Sequence, residues 1–249
     1  MSLNFIIEKS LTINRVLEKI FGIRLIRRKP TFDDARKFIL GFTQPGSVID
    51  GGANQGQWAS EILKSYPNLN LISFEPTPSA FEILRLNAQK NDSWEVVNSA
   101  LGNYDGMIEM NLASNEGQSS SILEPASHLI HYPQVKFDKI ANVPVVRLDT
   151  YLVNYSRPIY IKLDVQGAEE IALEGAERIL EDVIAIELEI AIDYAYTGQM
   201  DFAETVEKLH KLGFSVFSIS DPIRDSNGFT MFVDAIFVRN KLLEKYNEV

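Results

Sequence analysis

The sequence predicts an α/β fold: a mostly parallel sheet with helices on both faces, closed by an antiparallel hairpin. Three observations predict it. Short apolar runs alternate with helix-like segments from residue 31 to residue 213, and such alternation implies crossover units and parallel pairing. The first run ends in a glycine turn, VIDGGANQGQW, Val48 to Trp58. The last two runs, Phe214–Ser218 and Phe232–Val238, are joined by a segment without helical periodicity, which suits an antiparallel pair.

The elements follow in order. Thr31–Phe42 reads as a helix: Thr31 can cap it, Asp33 and Asp34 occupy its first turn, and Phe38, Ile39 and Phe42 fall on one side. Pro45-Gly46 ends it. Ser47–Asp50 is then a strand, Gln57–Ser65 a helix, Leu69–Glu75 a strand, Pro78–Lys90 a helix and Trp94–Ser99 a strand. Met107–Leu112 and Val143–Leu148 read as extended, and the segment between them, 113–142, is polar and rich in turn residues. We take residues 106–148 as an insertion. Alternation resumes with strand Ile159–Val165, helix Gly167–Leu180, strand Val183–Ile190 and helix Phe202–Leu212, stopped by Gly213.

A chain of 249 residues fits one large domain or one domain with an appendage. It has no cysteine, which excludes disulfides, thiolate metal sites and a cysteine nucleophile, and fits a reducing, cytoplasmic location. No apolar run approaches the ~18 residues of a membrane span, and the first residues lack a signal peptide's pattern. The net charge of -10 argues against nucleic acid as a partner. Residues 1–30 nevertheless hold seven Lys/Arg and two acids, a net of +5 against -15 for the remainder. With Phe5, Ile6, Leu11 and Leu17 as an apolar side, they form a basic helical arm before a domain at 31–249. The arm suits a peripheral membrane surface, a second subunit of a homo-oligomer, or the main domain.

In an open α/β sheet, ligands bind beyond the carboxyl ends of the strands, where strand order reverses. The first turn lies there. From Gly51 it reads G-G-A-N-Q-G, not the dinucleotide pattern, and Gln57-Trp58 follows where a phosphate loop needs Lys and Ser/Thr. What remains is Asp50-x-Gly52-x-Asn54-x-Gly56. A carboxylate at the mouth repels phosphate and attracts the cationic end of S-adenosylmethionine, while glycine lets the backbone approach its amino-acid moiety. A tight turn with a helix-capping acid is the plainer reading of the same residues. Glu75 ends the second strand 25 residues after Asp50 and can accept both hydroxyls of an adenosine ribose. Nicotinamide dinucleotides share that feature, so a dehydrogenase stays open at this point. Asn98, Ser99 and Ala100 would lie by the adenine edge.

IYIKLDVQGAE, Ile159 to Glu169, is the second unusual stretch. Parallel central strands are normally apolar on both faces. Lys162 and Asp164 interrupt this one two residues apart, so they share a face. Buried, they should pair with each other or with a ligand; at a strand end, Lys162 can extend outward and Asp164 can cap the next helix.

Together with SFEPTPSAFEILRLNA, SALGNYDG, VVRLDTYL, YIKLDVQGAEEIALEGAERIL and AIELEI, these stretches resemble the FkbM-type S-adenosylmethionine-dependent methyltransferases over about residues 35–240. Gln166 stands where the commoner family residue is Glu. The resemblance implies a class I methyltransferase sheet of seven strands with the last antiparallel. It also implies a cofactor held by Asp50, Gly52, Asn54, Gly56 and Glu75, and Asp164 beside it. It further implies O-methylation of a small-molecule or glycan acceptor. Methyl transfer from a sulfonium needs alignment above all, and a base helps an alcohol to react. The base candidates are Asp164, Glu187, Glu189, His128 and His131, with Glu189 nearer its strand end; Lys162, Asp164 and Glu189 form the expected catalytic set. His128 and His131 have the i,i+3 spacing of a metal pair, but no pattern demands a metal, and none is assigned. His210, on a helix, reads as structural. The segment Gly117–Ser121 should shape the acceptor pocket. A cofactor-binding scaffold without catalysis is the alternative from another class.

Overall fold

The computed structural model describes residues 29–247. Most of the basic arm expected at 1–30 therefore lies outside the described residues. Residues Phe32–Val249 form one unit.

Helix α1, Phe32–Thr43, leads into β1, Ser47–Gly51. Helix α2, Gln57–Ser65, β2, Leu71–Phe74, helix α3, Pro78–Ala88, and β3, Trp94–Val97, complete the first half. Four strands or helices then build the inserted region: β4, Ala100–Leu101; β5, Gly106–Leu112; the short α4, His128–His131; and β6, Lys139–Val146. The second half runs through α5, Leu148–Tyr151; β7, Ile159–Leu163; α6, Glu169–Glu174; a 3-10 turn at Glu177–Asp182; and β8, Val183–Ala191. Helix α7, Phe202–Lys211, β9, Phe214–Ile219, β10, Ile223–Arg224, β11, Thr230–Arg239, and α8, Asn240–Asn247, end it.

The main sheet runs β3-β2-β1-β7-β8-β11, with β9 and β10 along the outer edge of β11. β3, β2, β1, β7 and β8 pair in parallel, and β11 is antiparallel to both β8 and β9. Strand order reverses between β1 and β7, so their carboxyl ends open a crevice. This is the class I methyltransferase sheet. The two-residue β10 and the helix α8 are additions that the sequence did not announce.

Alternation divides the core cleanly. Ile49, Ile72, Phe74, Ile161, Leu163, Ile186 and Leu188 pack with Leu173, Ile179 and Leu209, from α6, the 3-10 turn and α7. Val48, Leu71, Tyr160, Ala185 and Ile236 pack on the other face with Ile39, Leu40, Ile62 and Leu84, from α1, α2 and α3. Toward the carboxyl ends this second face turns polar. Ser73, Asp50, Lys162 and Glu187 lie side by side in register across four strands, with Glu189 and Asp234 opposite each other beyond them.

Two expected elements divide. The strand expected at Trp94–Ser99 leaves the main sheet after Val97; Ala100–Leu101 instead pairs in parallel with β6, in a second sheet ordered β4-β6-β5. The helix expected at Gly167–Leu180 breaks at Gly175, where a Cβ would collide with the carbonyl oxygen of Gly102. Asp149 fastens the break: its N–H donates to the Gly175 carbonyl at 2.9 Å and its carboxylate accepts from the Arg178 N–H at 2.9 Å.

Candidate active site

The loop after β1 is shaped by conformations that only certain residues tolerate. Gly52 has φ +73°, and a Cβ there would run into the Asp164 carbonyl oxygen, so glycine is required twice over. Asn54, with φ +48°, is one of the few side-chain-bearing residues suited to the left-handed region. Gly56, at φ +85°, serves packing: a Cβ would lie 2.7 Å from the Trp94 ring, so its absence lets α2 close on β3.

Glu75, just past β2, is 5% exposed. One carboxylate oxygen accepts from the Asn54 N–H at 2.8 Å and the other from the Thr77 N–H at 2.7 Å. Burial raises its pKa, while the two N–H donors favour the carboxylate. Each oxygen keeps a further lone pair. Gly52, Asn54, Glu75, Thr77 and Ala100 border a cavity of about 850 Å³, which continues past Lys162, Asp164 and Gln166 to Glu189. That volume lies at the upper end of small-molecule sites.

Asp50 is placed differently from expectation. It is fully buried beneath the cavity and does not border it. Ser73 donates to one of its oxygens at 3.1 Å, and the Lys162 ammonium pairs with the other at 3.2 Å. The carboxylate at the mouth is instead Asp164, 3.6 Å from the same ammonium. Lys162 also reaches the Gly52 carbonyl at 3.4 Å, so one cation joins the ends of β1 and β7. Its carboxylate neighbours outweigh burial and hold its pKa above the ordinary lysine value. A lysine that stays protonated neutralises and donates; it does not take up protons. Ser99 is likewise buried away from the cavity, its hydroxyl on the Ala100 carbonyl at 3.1 Å.

The loop after β7 aims Asp164. Gln166, at φ +55°, donates its amide to Asp164 at 2.8 Å and accepts from the Tyr196 hydroxyl at 3.1 Å. Glu169 turns inward instead, accepting the N–H groups of Val165 at 3.0 Å and Gly167 at 3.3 Å. Burial, reinforced by Asp164, pushes its pKa up to about 7.

The remaining base candidates separate. Glu187 is saturated: the Arg36 guanidinium from α1 grips both its oxygens at 2.6–3.0 Å, and the Tyr160 hydroxyl adds a bond at 2.6 Å. It is a structural anchor. Glu189 borders the cavity, and burial, together with Asp164, Glu169 and Asp234, lifts its pKa well above the ordinary range. His128 borders the cavity too, bonded to the Ser119 hydroxyl at 2.9 Å, with burial lowering its pKa toward the neutral form. His131 turns away to Asp193 at 3.1 Å. The two histidines do not converge on one point, and among the described residues no group of three metal-ligating side chains gathers. His210 is exposed near the end of α7.

The inserted segment closes over the site. The Asn54 and Gln55 amides donate to Glu116 at 3.3 Å, and Gly117 packs against Thr77. The Tyr196 hydroxyl meets the Ser119 carbonyl at 2.8 Å, and Ser121 donates to the Gln166 carbonyl at 2.6 Å. The strap thus joins the β1 loop to the β7 loop. On cavity-lining residues, Trp58 Nε1 and His128 Nδ1 are buried without a hydrogen-bond partner among the described residues, while the Thr77 hydroxyl lies against the Glu75 carboxylate. Trp58, Thr77 and Tyr196 escaped the sequence reading. Trp58 ends the stretch VIDGGANQGQW and Thr77 follows Glu75 by two residues, but nothing in the sequence near Tyr196 announces it.

Fold and cavity together define a protein of the class I methyltransferase type. The chain belongs to the FkbM methyltransferase family: the Methyltransferase FkbM domain matches residues 50–216. It is 30% identical over 193 residues to the 2-O-methyltransferase NoeI of Sinorhizobium fredii, covering 73% of this chain and 79% of that protein. It is 24% identical to Methyltransferase 1 of Beauveria bassiana, covering 76% and 80%. Among solved structures, TehB of Haemophilus influenzae aligns with a TM-score of 0.46 at 10% identity, over 91% of this chain and 66% of that one. The fold assignment rests on the strand order above. Membership in a methyltransferase family sets aside the dehydrogenase reading.

Proposed function

We propose that this chain transfers a methyl group from S-adenosylmethionine to a hydroxyl of a sugar, glycan or other hydroxylated small molecule. The observation that carries the reading is one cavity that joins the β1 loop and Glu75 to Asp164 and Glu189. Its β1 end has the required glycine at Gly52 and the Glu75 carboxylate, with the Thr77 hydroxyl beside it. These fit a ribose and an amino-acid moiety. Glu75 would hold the ribose hydroxyls, with Gly52 and Asn54 at the amino-acid end and Ala100 by the adenine. Asp50 acts from beneath, by keeping Lys162 and the Gly52 carbonyl in place. When bound, the cofactor supplies an activated methyl group on a cationic sulfur.

Trp58, Tyr132 and Phe232 also line the cavity as apolar walls, with Gln57, Gln134 and Glu189 as polar points. Flat aromatic faces with a few amide and carboxyl groups suit a ring that bears hydroxyls. Asp164 and Glu189 border the same cavity and would be within reach of an acceptor proton there. The 2-O-methyltransferase relative supports oxygen as the atom methylated. The test is product release from S-adenosylmethionine on a panel of methyl glycosides, with amines and carboxylic acids as controls. The reading predicts hydroxyl-dependent turnover with O-methyl product; turnover confined to the amines would overturn it.

A further inference from the structure

We propose that Glu189 and Asp234 work as one unit, a carboxyl pair that keeps one proton between them and takes up a second from the acceptor hydroxyl. The inference rests on the methyl-transfer reading and names the proton acceptor within it.

Glu189 on β8 and Asp234 on β11 are direct partners in the antiparallel register. Their side chains therefore share a face, with Cβ atoms about 5 Å apart. That face borders the cavity at Glu189. Among the described residues, neither carboxyl group has a hydrogen bond or an ion pair. The cations within reach are committed: Lys162 to Asp50 and Asp164, Arg36 to Glu187 and Asp33. The other ionisable groups facing the pair are carboxyls and phenols: Asp164 from the end of β7, Glu169 from α6, Glu187 from β8, Tyr132 from the inserted segment and Tyr196 after β8.

Two adjacent, partly buried carboxyls cannot both ionise cheaply. Burial holds Asp234 up to about 6, and burial with the neighbouring Asp164, Glu169 and Asp234 carboxyls lifts Glu189 well higher. Near neutral pH the pair therefore carries one proton and one negative charge. In the reaction the acceptor's O–H bond breaks and its proton joins the pair. The oxygen gains the methyl carbon, and the electron pair of the broken methyl–sulfur bond stays on sulfur. Glu189 faces the acceptor and, as it takes that proton, hands its own to the Asp234 carboxylate, which does not border the cavity and acts only through Glu189.

The test is a pH titration of carboxyl carbons by 13C NMR on wild type, Glu189→Gln and Asp234→Asn, which needs no acceptor. Wild type should show the two carboxyls titrating in separate steps, and Asp234→Asn should lower the Glu189 midpoint by about one pH unit or more. A Glu189 midpoint unmoved by Asp234→Asn, or single-step titration in the ordinary range in wild type, overturns the pair. With methyl glycosides as acceptors, Glu189→Gln should lose about a hundredfold or more in kcat while binding S-adenosylmethionine as wild type does. In Asp234→Asn the acidic limb of the rate profile should fall at the Glu189 midpoint read by NMR. Wild-type rates and limbs in both variants overturn the catalytic role and leave methyl transfer intact. A wild-type chain that binds no S-adenosylmethionine refutes the methyl-transfer reading instead, with the pair still decided by its titration.

Discussion

Asp50 and Glu75 are both buried acids next to the same glycine loop, yet their surroundings give them different work. Asp50 neutralises Lys162 inside the sheet. Removing it leaves an ammonium that is 8% exposed with the mouth carboxylate Asp164 as its one remaining ion-pair partner among the described residues. We predict that Asp50→Ala lowers unfolding free energy by about 3 kcal/mol or more in a denaturant melt, because breaking a buried pair strands a charge. A variant as stable as wild type would contradict this. The sequence exposed Asp50 as an acid beside a glycine turn. It could not show that Lys162, more than a hundred residues later, lies beside it in register, and so placed the carboxylate at the mouth. The place of Glu75 at the cavity was legible because it follows from position alone, at a strand end beside the first loop. The Arg36–Glu187 bond was not: its partners lie 151 residues apart, and no local pattern links them.

The inserted segment is tied to both loops that frame the cavity. Its tie to the β7 loop is the 2.6 Å hydrogen bond from Ser121 to the Gln166 carbonyl, and the same hydroxyl accepts from the Leu123 N–H at 3.0 Å. We predict that Ser121→Ala costs about 1 kcal/mol of stability and speeds amide hydrogen exchange across 113–121, with faster cofactor dissociation. Exchange rates equal to wild type would show that the strap is held by other means. Strand and helix identities were readable from alternation and glycine placement. The breaks were not, since the end of β3 at Val97 and the gap at Gly175 depend on contacts with the inserted region.

At the scale of the molecule, stability should depend on pH in an unusual sense. Glu169 and Asp234 have folded pKa values raised to about 7 and about 6, from ordinary values of 4.5 and 3.8, by burial above all. Glu75 and Glu189 shift in the same direction. A carboxyl raised in the folded state binds its proton more tightly there than when unfolded. Its stabilising contribution is complete below the unfolded value and is lost as pH rises through the folded one. The acids lowered by their partners, such as Glu61, Asp201 and Glu207, are exposed and contribute little. Tm should therefore fall as pH rises from about 4.5 to 7, and Glu169→Gln should flatten that fall. A Tm that climbs steadily over this range would contradict the assignment.

On the proposed function, the glycine loop and Glu75 make their end of the cavity a cofactor site. Isothermal titration of wild type, Glu75→Ala and Gly52→Ala with S-adenosylmethionine, its demethylated product and a reduced nicotinamide dinucleotide tests it most directly. The account predicts that wild type binds the first two at a single site and not the third, and that both variants lose that binding. Nicotinamide binding, or S-adenosylmethionine binding undiminished in both variants, would contradict it.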